Sequence, residues 1–230
     1  MCGRYILTIP WSDLVALFRI TETLAAPNLP PRYNIAPTQT VPAVRRTSDG
    51  DGRRMDLLRW GLVPAWAKDA AIGARMINAR AETAAEKPAF RAAMRYRRCL
   101  IPSDGFYEWQ KRPSGPKQPF RIARTDGRTF AFAGLWERWD RTPDGRPLET
   151  FTIITTAANA VVAPIHDRMP VILDAADHEA WLDVDGVGAS DAARLLKPSP
   201  PEEMTAHAVS RHVNAVRNDD PRCITPVDDQ

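Results

Sequence analysis

Short runs of strand-forming residues separated by Asp-Gly turns constrain this chain more than any other feature of its sequence. Residues 41–46 and 55–61 flank Ser48-Asp49-Gly50-Asp51-Gly52, a strong hairpin signal. Runs at 120–123, 129–136 and 150–156 are separated by Asp126-Gly127 and Asp144-Gly145. Shorter runs at 4–8, 99–102, 106–109 and 204–210 also read as strands. Strands therefore outnumber helices and come in hairpin-sized pairs. The pattern predicts an α+β fold, with a mixed, mainly antiparallel, barrel-like β core and short flanking helices.

Four short helices are expected. The first covers 12–18, with Ser12 as its cap and Leu14, Val15, Leu17 and Phe18 at helical spacing. The others cover 86–94, with Pro88 in the first turn, then 175–182 and 190–196. Asn34 and Pro37 make 32–39 read as an ordered loop rather than a strand. Residues 26–31 and 198–201 are Pro-rich connectors. Nothing in the chain marks a domain boundary, so residues 1–230 are expected to form one domain whose tail, after about 220, is loosely ordered.

No stretch approaches the roughly 18 apolar residues of a membrane span, and the first 20 residues lack a basic start followed by an apolar run. The three cysteines, 2, 99 and 223, form no CxxC pair. That argues for a reducing, cytoplasmic setting and against a disulfide frame or a structural zinc site. No metal and no cofactor is expected, nor any partner subunit. Net charge is +3, but residues 1–125 carry +11 and residues 126–230 carry −8. Of the 31 cations, 26 are Arg, the residue suited to phosphate forks and base stacking. A basic half is the footprint of nucleic-acid binding; a general replacement of Lys by Arg would give the same count.

Met1-Cys2-Gly3-Arg4-Tyr5 carries the sharpest chemistry. A small residue at position 2 invites removal of the initiator Met. Cys2 would then offer a thiol and a free α-amine on one carbon skeleton, with reference pKa values of about 8.5 and about 7.7–8.0. An amine beside a thiol condenses with an aldehyde to a Schiff base, and the thiol closes on the imine carbon. The product is a five-membered thiazolidine.

Other stretches supply polar groups in rigid settings. Trp60 and Trp66 flank Gly61 and Pro64; Trp60 reads as core and Trp66 as an exposed stacking platform. Asn78, Arg80 and Glu82 alternate and so share one face of an extended segment. Glu108 lies between Tyr107 and Trp109, which fits either a general acid with a raised pKa or an edge carboxylate in solvent. His166 sits between Pro164 and Pro170, followed by Asp167 and Arg168, in a defined loop. His178, His207 and His212 lack such a setting and read as structural.

Taken together, six stretches resemble the SOS-response-associated peptidase family, the SRAP domain of abasic-site processing proteins. They are MCGRY at 1–5, RYNIAPTQ at 32–39, RWGLVPAWA at 59–67, MINARAET at 76–83, CLIPSDGFYEW at 99–109 and PIHDRMP at 164–170. The resemblance implies self-crosslinking to abasic sites in single-stranded DNA, with Schiff-base, lyase-like chemistry. It implies that Cys2 supplies amine and thiol and that Asn78 bonds near it. Glu108 would open the sugar and move protons, and His166 would transfer protons beside the lesion. Arg80 is implied to take a phosphate, and Trp66, Phe90 and Trp109 to wedge or stack. Arg4, Asn34, Pro37 and Arg168 complete the implied DNA-contacting set. Two other readings stay open: a thiol peptidase or amidase using Cys2, His166 and Asn78, and a noncovalent reader of damaged DNA.

Overall fold

The computed structural model describes residues 2–23 and 29–227. Fourteen strands occur among them: β1 (Tyr5–Leu7), β2 (Glu22–Thr23), β3 (Arg32–Ile35), β4 (Thr40–Arg46), β5 (Arg53–Trp60), β6 (Asn78–Arg80), β7 (Arg98–Ser103), β8 (Gly105–Gln110), β9 (Gln118–Arg124), β10 (Phe130–Trp139), β11 (Leu148–Ala157), β12 (Arg168–Pro170), β13 (Ile172–Leu173) and β14 (Met204–Ala208). Four α-helices accompany them: α1 (Trp11–Leu17), α2 (Arg91–Tyr96), α3 (His178–Leu182) and α4 (Ala189–Ala193). None is long and apolar enough to cross a membrane.

The expected barrel is present. Strands β11, β10, β7, β4 and β5 pair in that order, and β5 returns to β11 through a parallel contact at Thr150–Arg59 and Phe151–Trp60. The other four contacts are antiparallel; Asp-Gly turns close two of them, β4–β5 and β10–β11, whereas Asp126-Gly127 joins β9 to β10, which lie in different sheets. Trp60 stacks on Phe151, and Tyr5 meets Trp60 and Phe132 edge-on, all buried. A second antiparallel sheet, β14-β9-β8-β1-β3, shares this core. Closure of the ring removes the free edges that five separate hairpin strands would expose.

Two additions build the end of β11 where the polar loops gather. Strand β6 lies parallel to it, Asn78 opposite Ile153 and Arg80 opposite Thr155. Strand β12 lies antiparallel, Arg168 opposite Ala157. The segment between β5 and β6 turns at Gly61, whose φ is +117°. A Cβ there would meet the Gly73 carbonyl oxygen at 2.6 Å, and a Cβ on Gly73 would meet the Gly61 oxygen at 2.5 Å. The two glycines thus let two backbones touch, which sets the path from Trp60 to Asn78.

Several expectations need correction. Residues 32–35 are strand β3, not loop, because β1 supplies a partner that local sequence does not reveal. Ser12 does not cap α1: the helix starts at Trp11 after an extended Pro10, and the Ser12 hydroxyl donates to Asp13 instead. The helix expected at 86–94 is α2, shifted to Arg91–Tyr96, with Pro88 in the preceding turns. Pro102 lies inside β7 rather than ending it. The helix expected at 175–182 opens as a 3-10 turn, Ala175–Asp177. Residues 26–28 of the 26–31 connector, and the last three residues, lie outside the described residues. Within the segment after 220, Pro221–Ile224 form a 3-10 turn that buries Cys223.

Candidate active site

Strand β1 carries the reactive terminus into the second sheet. Tyr5 pairs with Phe106 and Ile6 with Gly105, and the Tyr107 amide donates to the Arg4 carbonyl at 3.0 Å. Continuing that register sets Gly3 across from Glu108, one residue from Cys2. Both Cys2 and Glu108 are buried, at 0% and 3% exposure. The edge-carboxylate reading of Glu108 is therefore set aside: Phe106 and Glu108 share the inner face of β8. Burial raises the Cys2 thiol well above its ordinary value, and the negative charge of Glu108 raises it further. The Cys2 thiol faces the Arg4 carbonyl at 3.9 Å.

Asn78 is half-buried on β6, and its Oδ1 is buried with no hydrogen-bond partner among the described residues. Its amide nitrogen makes only a long, 3.5 Å, contact to the Ile153 carbonyl. A buried acceptor left open is costly unless a ligand or water fills it. Ala79 faces the core and Arg80 is exposed, as the alternation predicts, but the strand ends at Arg80 and the exposed Glu82 lies in the turn that follows. Among the described residues Arg80 has no ion-pair partner within bridging distance.

His166 is brought to the same end of β8 by its loop: Gln110 donates to the Pro164 carbonyl at 3.0 Å. The His166 Nδ1 lies 3.0 Å from the Arg168 amide and 2.9 Å from the Asp167 carboxylate. A neutral ring accepts from the amide; a protonated ring donates to the carboxylate. Nδ1 thus has both an N–H donor and a carboxylate within hydrogen-bond distance.

The expected DNA-contacting residues divide into two groups. Trp66 is exposed at 54%, Arg80 is exposed, and Pro37 and Phe90 are half-buried at the surface. Arg168 and Asn34, expected in the same set, turn their polar groups to other parts of the chain. Arg168 forks onto Glu82 at 2.7 and 2.9 Å and donates to the Thr155 carbonyl, tying β12 to the segment after β6. Asn34 is fully buried, with its amide spent on backbone carbonyls. Arg4 donates to the Asn34 Oδ1 and the Val213 carbonyl, both at 3.0 Å. Burial lowers its guanidinium pKa. Trp109 is half-buried, its indole donates to the Asn214 side chain at 2.8 Å, and Arg4 lies over its ring at 5.9 Å.

Sequence reasoning missed two features. One is the run 213–219, which folds over β3 and receives the Arg4 and Asn34 side chains; only its Asn, Arg and Asp content hinted at anything beyond a turn. The other is a cluster of His212, Asp220 and Cys223, whose potential ligand atoms lie within 4.8 Å of one another. Tertiary folding makes that cluster, against the expectation from spacing. Its groups are already hydrogen-bonded: His212 to Asp220 at 3.0 Å and to Asn218 at 3.1 Å, Asp220 to Arg222, and the Cys223 thiol to the Asn218 carbonyl.

Comparison with known proteins agrees with the six motifs. Residues 1–216 match the family described as SOS response associated peptidase (SRAP). The abasic site processing protein YoqW of Bacillus subtilis is 44% identical over 224 residues, covering 97% of this chain and 99% of that protein. The abasic site processing protein HMCES of Gallus gallus is 34% identical over 227 residues, covering 86% of this chain and 67% of that one. A crystal structure of a Bacteroides thetaiotaomicron protein superposes with a TM-score of 0.88 at 28% identity, covering 98% of this chain and all of that one. The chain belongs to the SOS response associated peptidase (SRAP) family.

Proposed function

We propose that this chain processes abasic sites in DNA by linking itself to the lesion through Cys2. The names of its relatives support the lesion class. The observation that carries the chemistry is the shared burial of Cys2 and Glu108, with the carboxylate close enough to raise the thiol's pKa.

Once Met1 is removed, the neutral α-amine of Cys2 attacks the aldehyde of the ring-opened sugar. Loss of water gives the imine. The sulfur then bonds to the imine carbon, its proton passes to the nitrogen, and the thiazolidine closes. With the thiol buried beside a carboxylate, the amine leads, and ring closure needs a base for the thiol proton. Glu108 is that group, and it can give the proton back to the ring nitrogen. Burial keeps water from the imine. Asn78 orients the N-terminal residue or the sugar through its open Oδ1, and His166 exchanges protons at the lesion. Arg80 takes a phosphate, and Trp66, Phe90 and Trp109 supply apolar or aromatic surface for unstacked bases. Single-stranded DNA fits best, since the reaction needs the sugar accessible from the Cys2 side.

Burial of Cys2 beside a carboxylate disfavours a thiolate, which weighs against the peptidase reading. The decisive experiment mixes Met-processed protein with a single-stranded oligonucleotide carrying one abasic site, resolved on a denaturing gel. A shifted band in the natural protein, absent in Cys2→Ala, is expected. No shifted band with processed protein would sink the covalent reading.

A further inference from the structure

We propose that Asp219 is a positioning residue for Cys2, acting through strands β3 and β1; the inference rests on the crosslinking reading above. Strand β3 is the free edge of its sheet. Its outward amides, Tyr33 and Asn34, both donate to one Asp219 carboxylate oxygen, the latter at 2.9 Å, while the Arg32 guanidinium takes the other oxygen. One carboxylate thus stands where a sixth strand would pair, and it satisfies three donors.

This matters because the β1–β3 pairing cannot set its own position. Tyr5 pairs with Ile35 and Leu7 with Arg32, so the register shifts between the two pairs. A short, irregular edge pair specifies register weakly. What pins it are clasps from residues 213–219. The Asn34 amide nitrogen reaches the carbonyls of Val213, Ala215 and Asn218 at 3.0, 3.2 and 2.7 Å, and its oxygen accepts from Arg4. Arg4 also donates to the Val213 carbonyl. The Arg4 carbonyl in turn accepts from Tyr107 and faces the Cys2 thiol, two residues from the reacting atoms. Strand β8 sets the register of β1 from one side, and Asp219, through β3 and the Arg4–Asn34 contact, holds it from the other, so both fix the height of Cys2 beside Glu108. Asn218 and Asp219 lie beyond the residues matched to the family.

The test is single-turnover crosslinking to an abasic single-stranded oligonucleotide, with DNA concentration varied. Asp219→Ala should lower the rate constant at saturating DNA by about 10²-fold, the scale of an ångström's misplacement. The half-saturating DNA concentration should stay within about two-fold, since Asp219 touches no DNA-facing group. Asp219→Asn keeps a carbonyl oxygen for the two amides and should recover most of the rate. If Asp219→Ala is insoluble, Asp219→Ser, which is too short to reach both amides, carries the same test. An Asp219→Ala protein that only melts lower and crosslinks at the natural rate would overturn this inference alone. A natural protein that forms no adduct would overturn the crosslinking reading and this one together.

Discussion

Arg4 and Asn34 meet side chain to side chain, Arg4 Nη1 donating to Asn34 Oδ1 at 3.0 Å, on the two strands that hold the N-terminus in its sheet. The buried amide has no slack, since its nitrogen serves three carbonyls. Asn34→Ala leaves those carbonyls and Arg4 short of partners, at about 1–3 kcal/mol per stranded buried group. Asn34→Asp should be worse, because a carboxylate would face carbonyl oxygens and could not donate. Urea unfolding should rank the natural protein above Asn34→Ala, and that above Asn34→Asp.

Glu108→Gln should slow the crosslink without abolishing it. The amide fills the same buried space but cannot carry the thiol proton, and a positioned acid–base group contributes typically about 10²–10⁴-fold. Time courses on denaturing gels would show this. A form that keeps Met1 should give no thiazolidine at all, since its amine is displaced from the thiol. An unchanged rate in Glu108→Gln would remove Glu108 from the proposed chemistry.

Arg80 and Arg168 should separate cleanly. Arg80→Ala removes an exposed cation and should reduce the salt slope of single-stranded DNA binding by about 0.7. Arg168→Ala breaks the fork to Glu82 and the bond to the Thr155 carbonyl, and so should act mainly on stability. Binding titrations at several salt concentrations, beside thermal melts, would sort them. A lost salt slope in Arg168→Ala with unchanged melting would contradict the assignment.

The tryptophans offer a parallel contrast. Trp60→Ala empties a fully buried site stacked on Phe151 and should cost about 3–5 kcal/mol of stability. Trp66→Ala should leave stability within about 0.5 kcal/mol. It should weaken DNA binding by about 1–3 kcal/mol if a base stacks there. Unfolding and binding measured on both proteins decide the matter.

Alkaline pH should destabilise the fold. Burial raises the thiols of Cys2 and Cys99 and the phenols of Tyr5 and Tyr107 above their ordinary values of about 8.5 and about 10. As pH passes those ordinary values, the unfolded chain releases protons that the folded chain retains. The folded state then binds more protons, so stability falls with rising pH. The contribution is complete below about pH 8 and is lost progressively above pH 9. Urea unfolding at pH 7, 9 and 10 should show the decline, with a shallower slope in Cys99→Ala.

Local features of this fold are legible in the order of its residues. Alternation, Asp-Gly turns and apolar runs set the β4–β5 and β10–β11 hairpins, while closure of the ring through β7 and the β5–β11 contact is long-range. The spacing of Asn78, Ala79 and Arg80 assigned inner and outer faces correctly, because a strand's period of two needs no distant partner. The residues around Cys2, Glu108 and His166 point to the proposed chemistry by type alone. Their neighbours come from contacts between distant parts of the chain. Strand β3 exists because β1 and Asp219 meet it from far away in the chain. Arg168 and Asn34 turn inward because Glu82 and the 213–218 carbonyls lie within their reach. Glu108 is buried because β8 packs its inner face on the core. Each of these outcomes rests on contacts between residues far apart in sequence, whose energies no local window contains.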